Sequence, residues 1–201
     1  MHNLTTSIDL IRHGEPAGGP MFRGRQDDPL SELGWQQMRS AIADTDQWDR
    51  VVTSPLLRCR RFAEELASAR QLPLSVDDRL REISFGAWEG RTADAILAET
   101  PEALTRFWSD PVTHLPPGGE PLAEFQARVR EAWQHWTREA AGQRVLVVCH
   151  GGVIRMVLAD VMGIPLDRSF SALAVPYACR SRVRIDQSDH GILSCLLSHG
   201  G

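Results

Sequence analysis

The sequence predicts a three-layer α/β sandwich, with a mainly parallel central sheet flanked by helices on both faces. Three observations lead there. Short apolar runs alternate with longer amphipathic stretches in the order strand, helix, strand, helix. The stretches between the runs are long enough to cross over a sheet face, as parallel pairing requires. Three strand-like runs end abruptly in polar residues, Arg12-His13, Ser54 and His150, and in an open parallel sheet such carboxyl ends share one edge where ligands bind.

The first strand is Ser7 to Ile11, followed at once by Arg12-His13-Gly14-Glu15 and a Gly/Pro-rich loop through Pro20. Ser31 stands before Glu32-Leu33-Gly34-Trp35, and the spacing of Leu33, Met38 and Ile42 predicts a helix to Asp44. Arg50 to Thr53 is the next strand. Ser54-Pro55 places a capping residue and a proline before the arginine-rich helix Leu56–Ala69, whose Leu57, Phe62 and Leu66 form an inner stripe. Leu74-Ser75-Val76 is a further strand, and Leu80 to Gly90 reads as an irregular loop carrying Glu82, Phe85, Trp88 and Glu89.

Two short helices, Ala93–Glu99 and Pro101–Trp108, lead to the turn-forming Pro116-Pro117-Gly118-Gly119. Leu122 to Ala140 is a long amphipathic helix with Phe125, Val129, Trp133 and Trp136 at helical spacing. Val145 to Val148 is the clearest buried strand and ends in His150-Gly151-Gly152. Val153 to Met162 is helical, and two strands around Arg180–Ile185 and Ile192–Leu197 complete the chain.

The composition fits one domain spanning residues 1–201, since 42% of residues are hydrophobic and 24% charged. A net charge of −4 argues against nucleic acid and membrane surfaces as partners, because both favour a basic face. All 22 basic residues are arginine. The absence of lysine excludes a P-loop lysine and a Schiff-base lysine, and compositional bias explains it better than function. Cys59, Cys149, Cys179 and Cys195 form no CxxC pair and are expected as reduced thiols. The first residues lack a secretory signature and no apolar run is long enough to span a membrane, so a cytoplasmic protein is expected.

Phosphoryl transfer requires an in-line nucleophile, cations around the equatorial oxygens and a proton for the leaving oxygen. A neutral imidazole whose second nitrogen is fixed by a hydrogen bond is a competent nucleophile, and His13 stands where such a group is needed. A lone strand-end histidine is more often structural. Its company changes the balance, because Arg12 at a strand end and Arg58 at a helix start can each grip phosphate oxygens bidentately. Arg60 and Arg61 read instead as a solvated helix face. Phe85, Trp88 and Trp108 suit either a core or a substrate wall. The seven histidines form no tight ligand cluster, so neither a metal nor an organic cofactor is expected.

Four segments in order, LIRHGE, SPLLRCRRFAEEL, LREISFGAWEG and VVCHGGVIRMVL, resemble the histidine phosphatase superfamily, which includes cofactor-dependent phosphoglycerate mutases and many small phosphatases. The resemblance implies that His13 is the phosphorylated nucleophile, that Arg12 and Arg58 bind the phosphoryl group, and that His150 completes the pocket. It makes Glu82 the proton donor and, after the first transfer, the base for water. It also brings Arg23 and Gly24 to the phosphate and substrate. The loop after His13 departs from the usual pattern, with Pro16 in place of Ser or Thr and no asparagine following, so Arg23 or a backbone N–H is expected to supply that contact.

Leu80–Gly90 together with Pro116-Pro117-Gly118-Gly119-Glu120 resembles bacterial α-ribazole phosphatases of cobalamin assembly, although Pro121 replaces their usual serine. The expected partner is therefore a small phosphomonoester, with α-ribazole 5′-phosphate a candidate, in a monomer or a homodimer. The alternatives are mutase-type phosphoryl transfer and a regulatory module that binds phosphate without turnover. Cys149 to Arg155 also satisfies the C-x5-R pattern of cysteine phosphatases, a match that arises readily by chance in so arginine-rich a chain.

Overall fold

The fold is a six-stranded sheet with helices on both faces, seen in a computed structural model that describes residues 4–189 and 191–200. The strands are β1 (Leu4–Arg12), β2 (Arg50–Thr53), β3 (Leu74–Val76), β4 (Arg144–Cys149), β5 (Arg180–Ser188) and β6 (Gly191–Gly200), in the spatial order β3-β2-β4-β1-β5-β6. Pairing is parallel from β3 through β1 and antiparallel from β1 to β6. The expected three-layer α/β arrangement is therefore present.

Strand alternation sends side chains to two separate cores. Ile8 and Leu10 of β1, with Val145, Val147 and Cys149 of β4, face the core covered by α5 (Leu122–Glu139) and α6 (Gly151–Met162). Ile11, Leu146 and Val148 face the other core, covered by α1 (Glu32–Ser40) and α2 (Leu57–Arg70). The α5 stripe is as the sequence predicts: Phe125, Val129, Trp133 and Trp136 are all buried. A satellite core of Trp88, Ile96, Leu104 and Phe107 joins α3 (Ala93–Glu99) and α4 (Ala103–Ser109) beside the sheet edge.

Asp9 is buried on the α1/α2 face and is tolerated there because Arg180, Arg182 and the Trp48 indole N–H all donate to it. Among the described residues, no helix is long and apolar enough to cross a membrane. All four cysteines are free, and only Cys195 is exposed.

Three local expectations differ from the structure. Helix α1 stops at Ser40, not Asp44, because the next residues turn around Asp46, which accepts from the Ala43 N–H and binds Arg180. Leu33, one of the three apolar positions whose spacing predicts this helix, is exposed. In α2 the inner face is Cys59, Phe62, Ala63 and Ala67, while Leu57 and Leu66 are only half-buried and the N-cap is Leu56 rather than Ser54.

Candidate active site

The ends of β1, β2 and β4 are laced together by backbone hydrogen bonds that continue past the strands. The His13 N–H donates to the Cys149 carbonyl and the Ser54 N–H to the Val148 carbonyl, each at 3.0 Å. His13, Ser54 and His150 are thereby fixed side by side at the carboxyl edge, where the sequence placed its three polar tips.

Next to them lies a cavity of about 150 Å³. Its walls include six of the seven expected site residues, Arg12, His13, Arg23, Gly24, Arg58 and Glu82, with Gly151, Gly152 and Arg155 from the start of α6. Phe85, Trp108, Phe170 and Tyr177 form the apolar side. Trp88 belongs to the satellite core instead.

The geometry of His13 fixes its proton. Nδ1 lies 2.7 Å from the Gly14 carbonyl oxygen, which can only accept, so Nδ1 carries the hydrogen and Nε2 presents a lone pair. Arg58 Nε donates toward that lone pair at 3.3 Å. Burial, and then the charges of Arg58 and Arg12, hold the His13 pKa well below 6.5, so the ring is neutral at physiological pH.

Arg58 is buried in full, and its terminal nitrogens donate to the Gln26 and Gly24 carbonyls, both at 2.7 Å. Gly24 thus anchors the arginine through its carbonyl. Its positive φ of 52° and its closeness to Glu89 and the Phe85 backbone exclude a side chain. Arg12 donates to the Val175 carbonyl at 2.6 Å and lies over the Tyr177 ring at 4.1 Å. Its buried Nε has no hydrogen-bond partner among the described residues.

Glu82 accepts from the Gly152 N–H at 3.1 Å, at the positive end of α6. A Cβ on Gly152 would strike that carboxylate and the Phe125 ring, so glycine there is what lets Glu82 approach. Arg23 is committed largely to its own loop, donating to Asp28 at 3.0 Å, Ala17 at 2.7 Å and Gly19 at 2.6 Å. Pro16 also lines the cavity but has no N–H to offer.

His150 stands one layer behind rather than on the cavity wall. It is wholly buried, its ring centroid 5.2 Å from that of His13 in an edge-on arrangement, and Nε2 is 2.7 Å from Ser54 Oγ. Ser54, read from the sequence as a helix cap, is thus the partner of a buried histidine. Burial, followed by the Arg58 charge, keeps His150 neutral as well. Cys149 points into the α5/α6 core, and burial pushes its thiol well above its ordinary value, which removes the thiolate a cysteine mechanism needs.

Sequence reasoning missed Tyr177, Phe170 and the contribution of Arg155. Tyr177, the chain's single tyrosine, lies outside the recognisable segments. Arg155 carried a usable signal: it falls four residues after Gly151, on the same face at the start of α6.

A doubly covered, mainly parallel sheet with two neutral histidines and a cluster of guanidiniums at its carboxyl edge defines an anion-binding α/β protein. The sequence profile of the histidine phosphatase superfamily (branch 1) matches residues 8–195. The chain belongs to the histidine phosphatase superfamily. It is 37% identical over 158 residues to a bifunctional protein of Mycobacterium tuberculosis, covering 76% of this chain and 43% of that one. It therefore spans less than half the length of that curated relative. It is 29% identical to the adenosylcobalamin/alpha-ribazole phosphatase of Escherichia coli over 89% of each chain. A solved mycobacterial glucosyl-3-phosphoglycerate phosphatase superposes with a TM-score of 0.86 at 26% identity, covering 98% of this chain and 99% of the other. The phosphatase class expected from the motifs is the class that the Escherichia coli relative and the solved mycobacterial protein carry by name.

Proposed function

We propose that this chain hydrolyses small phosphomonoesters through a phosphohistidine formed on His13 Nε2. One observation carries the reading: His13 Nε2, whose lone pair faces Arg58 Nε, borders a cavity in which Arg12 Nε is, among the described residues, a buried donor without a partner. A phosphoryl oxygen satisfies that donor, and an unsatisfied one costs about 1–3 kcal/mol.

In this reaction Nε2 attacks phosphorus in line as the P–O bond to the leaving group breaks. Arg12 and Arg58 hold the equatorial oxygens. His150, held by Ser54, packs edge-on against His13 and keeps the nucleophile in place. Glu82 gives its proton to the leaving oxygen, becomes a carboxylate, and takes a proton from the incoming water. That water attacks the phosphohistidine, releases phosphate and restores both groups. Arg23 and Gly24 act chiefly by shaping the loop that carries Arg58's carbonyl partners. The named substrates of the relatives differ, so relatedness selects the reaction and leaves α-ribazole 5′-phosphate as one candidate among small phosphate esters.

The test is hydrolysis of p-nitrophenyl phosphate with and without EDTA, followed by an alkaline quench and peptide mass analysis. The expected result is turnover in both conditions and one phosphoryl group on the peptide containing His13. Absence of turnover across a panel of phosphate esters would favour a non-catalytic binding module, and label at Cys149 would overturn the nucleophile.

A further inference from the structure

The cavity holds one cation more than a phosphoryl group requires. Arg12 and Arg58 meet the phosphate, and Arg23 is neutralised by Asp28. Arg155 is left over. It lines the same cavity, and among the described residues it makes no ion pair.

Its placement is well defined. Nε donates to the Leu173 carbonyl at 3.1 Å, and the guanidinium carbon lies 5.7 Å from the centre of the Phe170 ring. That bond occupies the inner edge of the fork and leaves the terminal nitrogens for a ligand. Nη1 lies 3.1 Å from where a Cβ on Gly151 would sit, and Arg12 Nε lies 3.4 Å from the same point. Two guanidiniums thus converge on the first residue of α6, where the helix field already favours anions. The largest favourable charge acting on it is Glu82, on the same cavity wall but not in an ion pair with it, so a second anionic group on the ligand gives the guanidinium a direct partner.

We infer that Arg155 selects phosphomonoesters whose leaving group carries a carboxylate within a few bonds of the scissile oxygen. The inference rests on the proposed hydrolysis at His13. Glu82 must be protonated to serve the leaving oxygen, so three guanidiniums face a phosphate dianion and balance with one further negative charge. A carboxylate supplies that charge and fits the fork bidentately, whereas a second phosphate dianion exceeds it. Size agrees. A cavity of about 150 Å³ suits a ligand of few heavy atoms and lies below the roughly 300–1,000 Å³ of sites for larger ligands. A ribonucleoside-like alcohol such as that of α-ribazole 5′-phosphate has no carboxylate and leaves Arg155 unpaired.

The test compares 2-phosphoglycolate with ethyl phosphate, and 3-phosphooxypropionate with propyl phosphate, pairs in which a carboxylate replaces a methyl group. For the wild-type protein we expect kcat/KM to favour the acid by about tenfold or more in at least one pair, mainly through KM. In Arg155→Gln the preference should collapse to within about threefold, and Arg155→Lys should retain part of it. Equal rates for acid and alkyl ester in the wild type would overturn the inference without any variant. So would a preference that survives Arg155→Gln, or an equal loss on both members of a pair. Failure to hydrolyse p-nitrophenyl phosphate defeats the reading at His13 instead, so the two failures are distinct.

Discussion

The two ends of the cavity are built differently. At the phosphate end, His13, Ser54 and His150 directly follow parallel strands whose backbones bond to one another, and Arg58 is buried and tied to two carbonyls. At the leaving-group end, Met21, Phe85, Trp108 and Phe170 come from loops and from α4, and Trp108 is 43% exposed. Sheet register fixes the first set, since moving one strand end would break hydrogen bonds in its neighbours. Most of the second set is held outside the strand ladder, Phe85 partly by the satellite core, although Phe170 also belongs to the main core under α5 and α6. The proposed reaction therefore belongs to the sheet edge, and the fit of the leaving group to the loops together with Arg155 of α6.

Variants can break this contrast. The largest effect is expected from His13→Ala, which removes the proposed nucleophile: turnover should fall by roughly 10⁴-fold or more in steady-state assays. Cys149→Ser, one residue before His150 but directed into the core, should retain turnover. Next is Glu82→Gln, with an expected loss of about 10²–10⁴-fold in kcat on alkyl phosphates. The loss should be much smaller on p-nitrophenyl phosphate, whose leaving group needs no proton. Equal losses on both would remove Glu82 from the proton-donor role.

The pH profile sharpens the electrostatic half of the contrast. His13 is held below 6.5, so the neutral nucleophile persists as pH falls through that value, and the acid limb of kcat/KM should lie below pH 6.5. Arg58→Gln removes the nearest charge that lowers it, so the limb should move up toward 6.5 in addition to any loss of rate. The smallest effect is expected at the loop end: Trp108→Ala should raise KM by about two- to tenfold, by different factors for different esters. A uniform fall in kcat there would show that the two ends are not independent.

Much of the phosphate end was legible in the sequence because it depends on local patterns. β2, β3 and α3 have the expected boundaries, and the polar tips after apolar runs converge as parallel topology requires. The departures share a cause. The early end of α1 depends on Asp46 meeting Arg180, 134 residues away, and Ser54 became a partner of His150, 96 residues away. No window along the chain contains either pair.

The sequence by itself determined the order of elements, the strand-end location of His13 and His150, and the supply of arginines around them. Hydrophobic periodicity and steric limits on the backbone act over a few residues and leave their mark in the letters. Only the tertiary structure decided that Nε2 is the unprotonated nitrogen of His13 and faces Arg58, that His150 lies behind the cavity wall, and that Arg23 braces its own loop. It alone set Tyr177 against Arg12 and brought Arg155 to the cavity wall. Those outcomes depend on distance and desolvation between segments far apart in the chain, and packing alone sets both.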